Sequence, residues 1–470
     1  MRIQAKSGKR KVERGWQVNI LRTLGTAVLV VAALGFAAGS ADAQAKGRTY
    51  AITNAKIHTM AGPAIENGTV VIRDGKILDV GARVAVPSGA TVINGRGLEV
   101  YPGMFDAVSQ MGLIEIGQGV NASVDVRELE DFSPQLVAAT AVHPPSEHIP
   151  VARAAGVTHT MSSPGLGGGG GFGGGSAPLV GGQSSLIHLD GWVVADMVIK
   201  KSGAMVVNWP TLGAGGGGFG GFGGGGGGQR AFADIRREYE QRVNVLTTWL
   251  DRVRNYANAV ERGSKDNFVQ DRALEAMIPV VKGQLPVLVT AQSDRDMKNA
   301  IEYFEKQKIK MVIGRARDAW KIKDLLKQKN IPVILSQTLA LPANEDDPHD
   351  RPMTTAAELH KAGVKFAIAT FDSGNSEVDS LTLAQEAGVA AAYGLPWEEA
   401  VKAVTLYPAQ IWGVADQLGS IEKGKIANLV VTNGDLLELR TEIRYVFVNG
   451  QQSSLENRFK QLYDKYRARP

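Results

Sequence analysis

The chain has 470 residues, 44% of them hydrophobic and 21% charged, and no cysteine. Disulfides, thiolate metal sites and thiol nucleophiles are therefore excluded, and stability must rest on an apolar core. The formal charge of +5 is local: 7 of the 52 basic residues and 2 of the 47 acidic ones fall in residues 1–43, so the remainder is formally neutral and no basic surface argues for nucleic acid.

Residues 1–43 pair a basic segment with the apolar run Leu24 to Ala38 and end on Ala41-Asp42-Ala43. The run is short for a spanning helix, and the small-residue triplet fits a cleavage site, so this segment reads as a signal peptide removed before Gln44. The expected location is periplasmic or extracellular, with no membrane contact after cleavage; an uncleaved anchor is the alternative. Residues 44–470 exceed what one core usually holds, which favours one large and one small domain.

From 48 to 100 the pattern alternates with period two and is broken by Asn67-Gly68, Asp74-Gly75 and Asn94-Gly95. Asp74-Gly75 between VVIR and KILDV is a type I′ hairpin signal, because both turn positions need positive φ. The same texture returns near the C-terminus, with Asn433-Gly434 and Asn449-Gly450. Neither end holds enough strands for a stable sheet alone, so 44–100 and 416–453 are expected to pair in one small β domain, leaving 454–470 as a tail.

Residues 101–415 change character. Strands are expected at 100–108, at 156–163 and within 178–210, followed by four β-α units whose strands lie in 285–292, 310–316, 331–338 and 364–373. Consecutive β-α units imply parallel strands, and the count approaches a (β/α)8 barrel; an open doubly wound sheet is the structural alternative. Two glycine tracts, 165–178 and 213–228, cannot bury enough apolar area to order themselves and read as loop insertions. Neither is a phosphate loop, since no Lys-Ser/Thr closes it. A helix over 230–262 carries Ile235, Tyr239, Val243, Leu246, Leu250, Val253 and Ala257 near helical spacing. It is expected to pack outside the barrel and is a candidate subunit interface.

The motifs at both ends of the chain, ITNAKIHTMAGPAIENGTVVIRDGKILDVGA, VYPGMFDA and LPWEEAVKAVTLYPAQIWGVADQLGSIEKGKIANLVV, resemble the amidohydrolase superfamily in its imidazolonepropionase-like branch. The resemblance implies a distorted (β/α)8 TIM barrel with a small composite β-sandwich built from both chain ends. It further implies one or two divalent metals, usually zinc, at the barrel mouth, activating water against amide or cyclic amide carbon–nitrogen bonds. The family pattern is His-x-His ending strand 1, a His after strand 5, a His after strand 6, and a strand-8 Asp that shuttles protons.

Carried over residue by residue, that pattern largely fails. Pro102, Gly103 and Asp106 match, but the two histidine positions of strand 1 are Val108 and Gln110; the strand-5 position is Thr290, and strand 6 offers Gly314 and Arg315. The acid survives as Asp372, either a general base or the side chain of an Asx-turn with Ser373 and Gly374. Arg315 and Arg317 are placed to pair with it, with an anionic ligand or in salt bridges. Of seven histidines, His58 and His360 read as ordinary, whereas His143, His148 and His159 with Asp372 form the set from which a relocated metal site would be built. Two functions follow: an exported hydrolase of non-peptide carbon–nitrogen bonds, or a metal-free barrel that binds a small molecule or partners an intact amidohydrolase in a homo- or hetero-oligomer.

Overall fold

The computed structural model describes residues 48–116, 124–126, 128, 130–166, 177–212, 231–263, 269–342, 344–371 and 379–469. The proposed signal segment, most of both glycine tracts and Asp372 lie outside the described residues.

Strands from both chain ends share one sheet. It holds β1 (Tyr50–Ile57), β2 (Ile65–Arg73), β3 (Lys76–Gly81), β4 (Thr91–Asn94) and β5 (Glu99–Pro102), with β14 (Leu429–Thr432), β15 (Ile443–Val448) and β16 (Gln451–Ser453), in the order β16-β15-β14-β5-β1-β2-β3, with β4 paired to β1. The junction is antiparallel, Leu429 opposite Pro102 and Thr432 opposite Glu99. Asp74 and Gly75 turn β2 into β3 with φ of 50° and 78°, and Asn449 and Gly450 turn β15 into β16 with φ of 47° and 73°, as type I′ turns require. Asn67-Gly68 is no break: β2 runs straight through it opposite an irregularity in β1. A Cβ on Gly68 would lie 2.4 Å from Ile57 Cδ1, so the glycine admits a close side chain rather than a turn.

The second sheet is the barrel wall. Its strands are β6 (Met104–Ser109), β7 (Val157–Ser162), β8 (Val180–His188), β9 (Val198–Asn208), β10 (Val287–Thr290), β11 (Met311–Gly314), β12 (Val333–Leu335) and β13 (Phe366–Ile368), hydrogen-bonded in chain order. Seven run parallel, while β8 is antiparallel to both β7 and β9, so β7, β8 and β9 follow one another without a helical crossover. The expected strands within 178–210 are present, with an orientation that the local pattern does not encode. Wholly buried on both faces, β8 shows no alternation from which a direction could be read.

Between β13 and β6 closure runs through a side chain. Asp106 of β6, fully buried, accepts hydrogen bonds from Thr370 N at 3.3 Å, Thr370 Oγ1 at 2.6 Å and Ser380 Oγ at 2.7 Å. Strand residues fill the lumen together with Phe371 beyond β13: Phe105, Val108, Met161, Leu186, Val206, Leu288, Val312, Ile334 and Phe371 belong to one apolar cluster. Their neighbours, such as Val287, Val289, Ile313 and Val333, face outward onto the helices. The longest helix, α1 (Phe232–Glu261), buries Ile235, Leu246, Trp249, Leu250, Val253, Tyr256 and Ala257, with Tyr239 and Val243 half-buried.

Candidate functional site

In a barrel of this kind the reactive end is the one where the parallel strands finish. Val108, near the end of β6, is fully buried within the lumen cluster, and Gln110, just beyond, is half-buried. Thr290 ends β10 and donates its hydroxyl to Asn208 Oδ1 at 2.8 Å. Gly314 ends β11, and its missing side chain is replaced by its neighbours: a Cβ there would stand 3.0 Å from Leu288 Cδ1 and 3.1 Å from Phe371 Cζ. Leu166, at the head of the first glycine tract, completes the hydrocarbon from the rim.

A divalent metal needs three or four ligands converging at roughly 2 Å. Val108 and Gly314 carry no donor, the Thr290 hydroxyl is engaged by Asn208, and hydrocarbon occupies the space between them. The donor chemistry of these residues does not fit a zinc-type centre, and among the described residues no three His, Asp or Glu side chains come together to hold a metal ion. Asp372 lies outside the described residues.

The histidines of the relocated set are dispersed. His143 is exposed, and His148, at the start of the helix His148–Ala154, donates Nε2–H to the Glu115 carbonyl at 2.8 Å. His159 lies in the first half of β7, toward the end of the barrel opposite the mouth. There its Nδ1 and that of His188, its cross-strand partner, each lie 3.2 Å from the Asn428 amide nitrogen, which donates to both. Burial, then the neighbouring His188, hold the His159 imidazole well below its ordinary pKa, and burial holds His188 down at about 4. Both rings are neutral at pH 7 and join the barrel to the other sheet through β14. His58 stacks on Tyr101 and pairs with Glu99 at 2.7 Å, which makes it part of the sheet's packing.

Two features at the mouth went unread in the sequence, Asn208 and the close approach of Gly165 to Gly181. Asn208 donates to the carbonyls of Gly165 and Pro178, both at 2.7 Å, and so clamps the two ends of the first glycine tract together. Gly165 meets Gly181 so closely that a Cβ on Gly165 would lie 2.3 Å from the Gly181 Cα. Arg315 is buried with φ of 59° and holds its guanidinium 5.7 Å from the Phe371 ring centroid, while Arg317 donates to the Leu341 carbonyl at 2.8 Å. Among the described carboxyl groups Asp106 is the most altered by its surroundings: burial pushes it up to about 6, against the lowering pull of the Thr370 and Ser380 hydroxyls. Its match to the shared strand-1 motif was the only signal available, and that motif does not say what the carboxyl bonds to.

Comparison with known proteins places this geometry in context. The amidohydrolase family model matches residues 291–453. An amidohydrolase of Hapsidospora irregularis, tasK, is 23% identical over 415 residues, covering 82% of this chain but 39% of that protein. An imidazolonepropionase of Flavobacterium johnsoniae is 37% identical over 82 residues, 17% of this chain and 20% of that one. The chain thus spans well under half the length of these curated relatives in the matched regions. Among solved structures, an amidohydrolase from Thermotoga maritima superposes with a TM-score of 0.71 at 26% identity, covering 87% of this chain and all of that one. Molinate hydrolase, at 17% identity and a TM-score of 0.51, shares the fold.

Proposed function

Because the chain belongs to the amidohydrolase superfamily by family and fold, we propose that it is an exported, metal-free member that binds a small molecule rather than activating water to cut one. The observation that carries this reading is the packing of Phe371 onto Gly314, beside the buried Val108, at positions where the superfamily pattern needs imidazoles. Water activation by a bound metal depends on an open coordination position in a shaped cavity, and the hydrocarbon at those strand ends speaks against such a position. Export rests on the apolar run 24–38 and the Ala41-Asp42-Ala43 triplet.

A second reading, hydrolysis of a non-peptide carbon–nitrogen bond, is favoured by the match to the Thermotoga maritima amidohydrolase over 87% of the chain. One experiment separates the two. Protein purified from the exported fraction without chelator is analysed for bound metals, then assayed against amides and cyclic amides with added zinc. The binding reading expects metal well below one equivalent, no zinc-stimulated turnover, and a mature N-terminus at Gln44 by mass spectrometry. Stoichiometric metal together with turnover abolished by chelation overturns it.

A further inference from the structure

The last described helix, α2 (Arg458–Arg467), has no buried residue. It joins the fold through Leu455, which packs on the outer core, and is capped by Asn457, whose side chain accepts from Lys460 N at 3.1 Å. With about 3.6 residues per turn, Phe459, Leu462, Tyr463 and Tyr466 share one face about 100° wide. Three of them stand in solvent, with Phe459 55%, Tyr463 64% and Tyr466 44% exposed. Arg458 and Lys465 border that face on one side and Lys460 and Arg467 on the other, while Gln461 and Asp464 lie opposite. The bordering cations rest on the rings: Lys465 Nζ lies 5.4 Å from the Tyr466 centroid, and the Arg467 guanidinium 5.6 Å from that of Tyr463.

A further exposed aromatic stands at the same end of the barrel. Trp192, 94% exposed, and the exposed Val193 lie in the loop that follows β8. Arg153 fastens this loop to the root of α2, pairing with Asp190 at 3.1 Å and donating Nε–H to the Ser454 carbonyl at 3.3 Å. Ser453 Oγ also donates to Asp190. The aromatic face of α2 and the Trp192 loop are thus carried on one support.

Charge decides what covers them. Residues 458–469 hold five cations and one acid, so the same face of a second copy would be repelled. A groove in a partner protein dehydrates its anchors fully, whereas Tyr and Trp keep an O–H or N–H that favours the boundary between hydrocarbon and water. An aromatic face bordered by cations on both sides, with polar residues behind, matches a helix lying in the plane of a bilayer surface.

We propose that this end of the molecule rests on a membrane surface containing anionic phospholipid. The rings of α2 and Trp192 turn toward the acyl chains, and the bordering cations meet the phosphates. At ten residues α2 lies on a bilayer rather than crossing it. The expected absence of membrane contact concerns residues 1–43; the contact through α2 is separate from them, and it is independent of what the barrel mouth binds.

The mature protein, residues 44–470, is sedimented with vesicles of phosphatidylcholine alone and with vesicles containing about one quarter phosphatidylglycerol. It should bind only the anionic vesicles and lose them as salt rises from about 0.1 M to about 0.5 M. Binding should shift tryptophan emission to the blue, and the shift should shrink in Trp192→Phe. Phe459→Ser combined with Tyr463→Ser should weaken binding more than about tenfold. Lys460→Gln and Arg467→Gln should each weaken it about fivefold. All four substituted residues are exposed, so thermal melts of these variants should match the wild type. No binding to anionic vesicles at the lower salt, equal binding to both vesicles, or undiminished binding by the aromatic variant overturns the inference. A dimer in solution that Phe459→Ser dissociates overturns it as well, since a second copy would then cover the face.

Discussion

Replacing Asp106 with Asn tests whether one buried carboxyl both closes the barrel and makes its stability depend on pH. The carboxyl ordinarily titrates at 3.8 and is pushed up to about 6 by burial. A group whose folded pKa is raised adds stability in full below the unfolded value and loses it as pH rises through the folded value. The window therefore runs from about pH 3.8 to about pH 6. Each unit is worth about 1.4 kcal/mol, so the wild type forfeits about 3 kcal/mol across it from this residue. Asparagine keeps a carbonyl for the Thr370 N–H, and its amide can donate to the Thr370 and Ser380 hydroxyls, but it does not titrate. Other acids, among them Glu358 and Glu399 with their lowered values, impose an opposing slope, so the informative quantity is the difference between variant and wild type. Denaturant unfolding followed by tryptophan fluorescence from pH 4 to pH 7 should show that difference moving by about 3 kcal/mol in favour of the variant as pH rises. A difference that stays constant across the window would refute the argument. Asp106→Ala, which removes the acceptor of three buried hydrogen bonds, should be destabilising by about 4 kcal/mol throughout.

Three further outcomes are expected. Gly314→His, which restores an imidazole where the superfamily pattern has one, should destabilise by about 1 to 3 kcal/mol because the new side chain meets Phe371 and Leu288, and added zinc should not recover the loss in a thermal melt. Asn208→Ala should lower unfolding free energy by about 2 to 4 kcal/mol, since the Gly165 and Pro178 carbonyls and the Thr290 hydroxyl all lose their partner; a change below 0.5 kcal/mol would mean the clamp is dispensable. His188 has a folded value of about 4 against an ordinary 6.5. Its lowered pKa makes stability fall as pH drops through that interval, by about 3 kcal/mol, because the unfolded chain takes up the proton first. His188→Gln should flatten that acid limb in the same unfolding assay.

The features legible in the sequence are those whose cause is local. Asp74-Gly75 and Asn449-Gly450 announce hairpins because positive φ is demanded of two adjacent residues, and the buried face of α1 follows from spacing. The four β-α units after residue 285 could be read because strand and helix alternate within a few residues of one another. What escaped depends on residues far apart. The Phe371 ring fills the place beside Gly314 from another strand's end, and Asn208 clamps two carbonyls of a loop that begins more than forty residues earlier. The reversal of β8 leaves no trace in a segment buried on both faces. Asn67-Gly68 misled in the opposite sense: the dipeptide that elsewhere makes a turn here makes room for Ile57. At the mouth, the residue types showed that histidines were absent, but which groups stood in their place required the packing.

The clamp at Asn208 has a consequence for how this chain can change over time. Once Gly165 and Pro178 are tied together at their carbonyls, the barrel meets the same two anchored ends whatever is strung between them. Closure entropy between two fixed ends grows slowly with the chain between them, by about 0.6 kcal/mol per doubling. The stability of the barrel is therefore nearly indifferent to how many residues lie between the two anchors. The same indifference makes the tract a natural port for grafting: a reporter domain spliced beside Phe172 should leave the melting behaviour of the barrel where it was.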